Sequence, residues 1–129
     1  IDLSQIEIKG DEFRHLYDSF EKAQTTITEY QDRVTLITPA ICDSCRQALG
    51  CGLKQAEDLG WLDGDREIVV IAGPVEELPE ISETADVVLY GNCASRWRHL
   101  GSFQRGCPPL GGQVVTALRE LGYPKDGKK

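Results

Sequence analysis

Four cysteines in three short motifs are the residues whose type and spacing best suit chemistry: Cys42-Asp43-Ser44-Cys45, Gly91-Asn92-Cys93-Ala94 and Gly106-Cys107-Pro108-Pro109. The thiolate form of cysteine is a metal ligand. Two intervening residues let Cys42 and Cys45 face one metal from a tight turn. A helix beginning there would lower their pKa through its N-terminal dipole. Gly91 and Gly106 stand ahead of the other two cysteines, where a missing Cβ lets the backbone approach a bulky inorganic core and turn an N–H toward sulfur. Pro108 and Pro109 fix the chain direction after Cys107. Between Cys93 and Cys107 there is no acid, but there are Arg96, Arg98 and Arg105. Such cations would raise the potential of an anionic centre, or contact an anionic substrate or partner.

Four thiols make one site only if the elements bring them together. Val34–Thr38 is a short β-branched run, and a helix is expected from the first cysteine pair to about Leu59, with Leu49, Leu53 and Ala56 on one face and Gly60 as its stop. Gly50 and Gly52 weaken that helix by roughly 1 kcal/mol each, which close packing against a sheet would explain. Ile68–Ala72 is a continuous apolar run, the mark of a strand buried on both faces. Residues 75–84 form an acidic connector with room for one helical turn. Asp86–Tyr90 is the next strand, 102–105 a short fourth, and a last helix is expected from Pro109 with a stripe of Leu110, Val114, Leu118 and Leu121, ended by Gly122 and Pro124. This alternation predicts an α/β fold with a mostly parallel sheet and right-handed crossovers. Ligands then bind beyond the carboxyl ends of the strands, near a switch in strand order. Every cysteine motif follows an expected strand.

Upstream, residues 1–9 read as an edge strand carrying Ile6 and Ile8. Residues 11–24 read as an amphipathic helix, capped by Asp11, with Phe13, Leu16, Tyr17 and Phe20 on one face. Residues 1–32 are thus a joining segment, 33–124 the cysteine-bearing domain and 125–129 a frayed tail. A chain of 129 residues without methionine, opening on Ile1, reads as a fragment of a longer polypeptide, so the remaining domains of that parent are its first expected partners. The formal charge of −7 argues against nucleic acid and against an anionic membrane surface. No apolar run approaches the roughly 20 residues of a membrane helix. An odd count of five clustered cysteines argues for a reducing, cytoplasmic setting rather than a disulfide scaffold.

In their order and context the three motifs resemble the proximal-cluster half of nickel–iron hydrogenase small subunits, over residues 33–121. The cluster-bearing subunit of NADH:quinone oxidoreductase has a related pattern. The resemblance implies a small flavodoxin-like three-layer domain and a [4Fe–4S] cluster held by Cys42, Cys45, Cys93 and Cys107. It also implies electron transfer, with a redox partner protein, as the cluster domain of an oxidoreductase. The Gly-Gly that commonly follows GxCA in those subunits is replaced here by Ser95-Arg96-Trp97-Arg98. The whole chain, from its IDLSQIEIKG opening, looks closer to the C-terminal region of a prokaryotic family described as iron–sulfur proteins without an assigned reaction.

Other chemistries fit parts of the pattern. CxxC also serves zinc sites and thiol redox pairs, so a structural zinc or interaction module is the alternative. A Cys42–Cys45 redox pair leaves Cys93 and Cys107 unexplained. A cluster with an open iron position would need one non-ligating cysteine. Cys51 reads as a small core residue that could substitute as a ligand. His15 and His99 read as solvated, Trp61 and Trp97 as packing residues, with Trp97 able to shield a cluster. Asp63-Gly64-Asp65 lacks the further ligands of a calcium loop, and Glu76, Glu77, Glu80 and Glu83 read as a solvated face. No GxSxG, Walker or GxGxxG motif occurs.

Overall fold

A computed structural model describes residues 27–125. The expected strand over 1–9 and helix over 11–24, with His15, and the last four residues of the expected tail lie outside them. Four strands form the sheet: β1 (Val34–Ile37), β2 (Ile68–Ala72), β3 (Asp86–Tyr90) and β4 (Ser102–Gln104). All neighbours are parallel, in the order β1-β2-β3-β4. Helix α1 is Asp43–Asp58 and helix α2 is Gln113–Glu120. A 3-10 segment, Asn92–Leu100, joins β3 to β4.

The fold is the expected α/β architecture in three layers. β2 and β3 are buried over their full length. One face of the sheet (Val34, Ile68, Val70, Ala72, Val88, Tyr90) packs on Leu49, Leu53 and Ala56 of α1 and on Val114, Ala117 and Leu118 of α2. Burying a leucine of this kind stabilises the fold by roughly 1.5–3 kcal/mol. The other face (Val69, Ile71, Val87, Leu89) is covered by Val75, Leu78 and Ile81 of the β2–β3 connector and by Ala94 and Trp97 of the 3-10 segment. Ile27 and Tyr30, in a 3-10 turn (Ile27–Tyr30) within the expected joining segment, also join the helix-side core.

Several local expectations are corrected. The strand order shows no switch among the described residues. The β1–β2 and β2–β3 connections step the same way across the sheet yet cover opposite faces, so they have opposite hands rather than both being right-handed. The 75–84 connector contains no helix, only a hydrogen-bonded turn at its end in which Ala85 N–H donates to the Ser82 carbonyl at 3.1 Å. Helix α2 starts at Gln113, not Pro109: Gly111-Gly112 delays the first turn, and the Leu110 carbonyl accepts from both Gln113 N–H at 3.0 Å and the Tyr90 hydroxyl. Leu110 is accordingly 78% exposed and off the core stripe. A Cβ on Gly52 would lie 2.2 Å from Val114 Cγ2, so Gly52 serves the α1–α2 contact and not the sheet. Both helices do end at the expected glycines, in six-to-one closures: Trp61 N–H donates to the Ala56 carbonyl at 3.0 Å and Tyr123 N–H to the Leu118 carbonyl at 2.9 Å.

Candidate metal centre

Register sets the height of the site. Ala72 pairs with Tyr90 and Tyr90 with Gln104, so β2, β3 and β4 end in one row. The chain leaves that row at Gly73, Gly91 and Arg105. β1 ends beside it and leads through Pro39 to Cys42. All four motif cysteines therefore stand on segments leaving the carboxyl edge of one sheet.

Cys42 is the N-cap residue of α1, with extended backbone, and its carbonyl accepts the first helical bond from Arg46 N–H at 3.0 Å. Its exposed sulfur makes no regular capping hydrogen bond. The Cys45 N–H nevertheless holds the Cys42 thiol below its ordinary pKa, helped by the Cys45 thiol and the Ser44 N–H and opposed by desolvation. Cys45, almost one turn further on, is 5% exposed. Burial pushes its thiol up to about 11, and the charges of Cys42, Cys107 and Cys93 add to the rise. Cys45 thus feels the charge of each of the other three motif thiols.

The β3 and β4 exits are stitched together. Gly91 N–H donates to the Gln104 carbonyl at 2.8 Å and Asn92 N–H to the Gly106 carbonyl at 2.9 Å. Gly106 N–H in turn donates to Asn92 Oδ1 at 2.8 Å. This reciprocal clamp holds the Cys93 and Cys107 loops side by side. Gly91 has φ +99°, and a Cβ there would stand 3.6 Å from Cys45 Sγ, 3.6 Å from Pro109 Cδ and 3.7 Å from the Gly106 carbonyl oxygen. The first and last motifs therefore meet over the glycine of the second.

A polar chain, buried at Tyr90 and Gln104 and part-exposed at Gln113, supports the Cys107 loop from below. The Tyr90 hydroxyl donates toward the carbonyls of Pro109 at 3.1 Å and Leu110 at 3.0 Å. Burial, then the charges of Cys45 and Cys51, raise the Tyr90 pKa. Gln113 Oε1 accepts from Leu110 N–H at 2.6 Å, and its Nε2 donates to the Gln104 side chain and the Arg105 carbonyl, each at 3.3 Å. Gln104 and Ser102 both donate to Glu120. Sequence reasoning missed Tyr90, Asn92, Gln104 and Gln113. Tyr90 alone carried a signal, because a tyrosine closing an apolar buried strand needs a partner for its hydroxyl.

The remaining candidates divide. Arg96, Arg98 and Arg105 are exposed around the Cys93 and Cys107 loops, with the Arg96 guanidinium 5.1 Å from the Trp97 ring centroid. Trp97 is a packing residue on the far face of the sheet, its Nε1–H donating to the Val75 carbonyl at 2.8 Å. His99 is exposed. Cys51 is exposed rather than a core residue; it lies against Gly111, whose Cβ would meet Cys51 Cβ at 3.2 Å. Trp61 packs on Tyr123, Asp63 pairs with Arg33, and the acidic connector residues are exposed. Among the described residues no three His, Cys, Asp or Glu side chains close around a single metal ion. A groove of about 310 Å³, lined in part by Trp61, Arg66, Tyr123 and Lys125, opens at the opposite edge of the sheet. No helix of the described residues is long and apolar enough to cross a membrane. Comparison with protein-family models, curated proteins and solved structures gives no match.

Proposed function

We propose that this chain binds a [4Fe–4S] cluster and serves as an electron-transfer domain of a larger protein. One observation carries the reading: the motifs of α1, β3 and β4 meet at Gly91, where a Cβ would stand in van der Waals contact with Cys45 Sγ, Pro109 Cδ and the Gly106 carbonyl oxygen, 3.6–3.7 Å away. The donor set fits, because four thiols at one sheet edge beside glycine-lined backbone are ligands of the kind such a cluster takes. Cys42, Cys45, Cys93 and Cys107 would hold it, and when bound it would supply a one-electron donor and acceptor. The resemblance to the hydrogenase small-subunit pattern points the same way.

The protein's own groups have definite tasks in this reading. The Cys45 and Ser44 amides favour the Cys42 thiolate. The Asn92–Gly106 clamp and the Tyr90–Gln113 support fix the two loop cysteines before any metal arrives. Tetrahedral zinc, with Zn–S near 2.3 Å, would need sulfurs about 3.8 Å apart.

Oxygen-free reconstitution with iron and sulfide tests the proposal. The expected product is brown, with a broad band near 400 nm and about four irons and four sulfides per chain. A colourless protein holding one zinc per chain would reassign the site as structural.

A further inference from the structure

We infer that Arg96, Arg98 and Arg105 form the docking surface for an acidic partner protein at the cluster edge; the electron-transfer role of that contact rests on the reading above. Between Asp86 and Glu120 the sequence holds no acid, although the chain carries 21 acids against 14 Lys and Arg. Charge pairing repeats the asymmetry. Of the described basic residues, Arg33, Arg46, Lys54, Arg66 and Lys125 each have a carboxylate within 4.0 Å. Arg96, Arg98 and Arg105 have none among the described residues. Arg119 has none either, but its guanidinium stands over Trp61, away from the cysteines.

The backbone places the three arginines around the site. A 3-10 helix has about three residues per turn, which stacks positions i and i+3. Cys93, Arg96 and His99 therefore share one outward line, while Ala94 and Trp97 turn to the core. Arg98 is exposed on the same segment. Arg105 precedes Gly106 and is held beside Cys93 by the Asn92–Gly106 clamp. In a chain of net charge −7, exposed arginines without an internal carboxylate, Arg96 resting on the Trp97 ring, suit an external anion. Complementary charge steers encounter and fixes orientation more than it adds affinity, which suits a brief electron-transfer contact. A nucleic acid would meet repulsion from the rest of the molecule.

Net charge and local charge make opposite forecasts for this surface, so binding to an acidic protein is diagnostic. The probe is a plant-type acidic [2Fe–2S] ferredoxin, titrated by calorimetry into the full chain, as purified and after cluster loading. Binding is expected at about 10 mM ionic strength, to weaken at least about tenfold by 150 mM as screening shortens from roughly 30 to 8 Å. The R96Q/R98Q/R105Q variant is expected to lose about tenfold in affinity, and R119Q little. Single variants, each expected to lose a few-fold, serve where the triple variant does not fold. Parent protein that ignores the ferredoxin at low salt, or arginine variants that bind as well as parent, would overturn the inference. Preference for a single-stranded DNA oligonucleotide would overturn it too. Iron content, measured on the same samples, reports on the cluster reading alone. Retained salt-dependent binding without iron would sink only the latter.

Discussion

At the residue scale the thiols were legible because their motifs carry chemistry in one dimension: spacing, a neighbouring glycine, a following proline. The groups that hold them were not. Asn92 reads as an ordinary polar residue until the β3 and β4 exits lie side by side and its amide oxygen meets Gly106 N–H, and Gln113 until its amide folds back on Leu110 N–H and the Arg105 carbonyl. Cys51 was misjudged because helical spacing alone does not say that its side chain emerges beside Gly111 at the surface. The Tyr90 hydroxyl gives a direct prediction. Tyr90→Phe takes the hydroxyl donor from the Pro109 carbonyl, while Leu110 keeps Gln113 N–H, and is expected to destabilise the fold by about 1–3 kcal/mol. A urea unfolding midpoint lowered at constant slope would show it; an unchanged midpoint would remove Tyr90 from the supports of the loop.

At the scale of elements, strand identity was written in continuous apolar runs, which is why β2 and β3 matched their expected bounds to the residue. The start of α2 was hidden, since Pro109 suits a first helical turn while the helix begins only after Gly111-Gly112, at Gln113. The handedness of the β2–β3 connection was equally out of reach, because an irregular acidic stretch gives no period to say which face it covers. Gly52 tests the packing of α1 on α2. Alanine would gain roughly 1 kcal/mol of helix propensity. Its Cβ, however, would stand 2.4 Å from the Gly111 carbonyl oxygen, a backbone atom that cannot swing aside. Overpacking should win, so Gly52→Ala is expected to destabilise the protein by about 1–3 kcal/mol net. A raised melting temperature would contradict that contact.

On the scale of the whole molecule, the two edges of the sheet do different work. The carboxyl edge gathers thiols; the amino edge is held by Asp86, a buried carboxylate that accepts from Arg66 Nε at 2.8 Å and from the Tyr123 hydroxyl at 2.8 Å. Burial opposes its ionisation, but the Arg66 and Tyr123 hydrogen bonds outweigh it and hold its pKa below the ordinary value. A carboxyl depressed in the folded state contributes stability that is present above its unfolded pKa and lost as pH falls through the folded one. Acid unfolding should therefore steepen below about pH 4, and Asp86→Asn should flatten that limb while lowering stability at neutral pH by about 2–3 kcal/mol. An identical acid limb in the variant would show that other carboxylates govern it. A groove of about 310 Å³ also lies at this amino edge, so this concavity points away from the chemistry that the cysteine motifs mark.

The account stands on four sulfurs serving one guest. The measurement that meets it most directly is iron and sulfide content after oxygen-free reconstitution of five single variants, each with one cysteine replaced by serine. Loss is predicted at Cys42, Cys45, Cys93 and Cys107, and parental content at Cys51. Parental content in any of the four motif variants, or loss confined to Cys51, would contradict it.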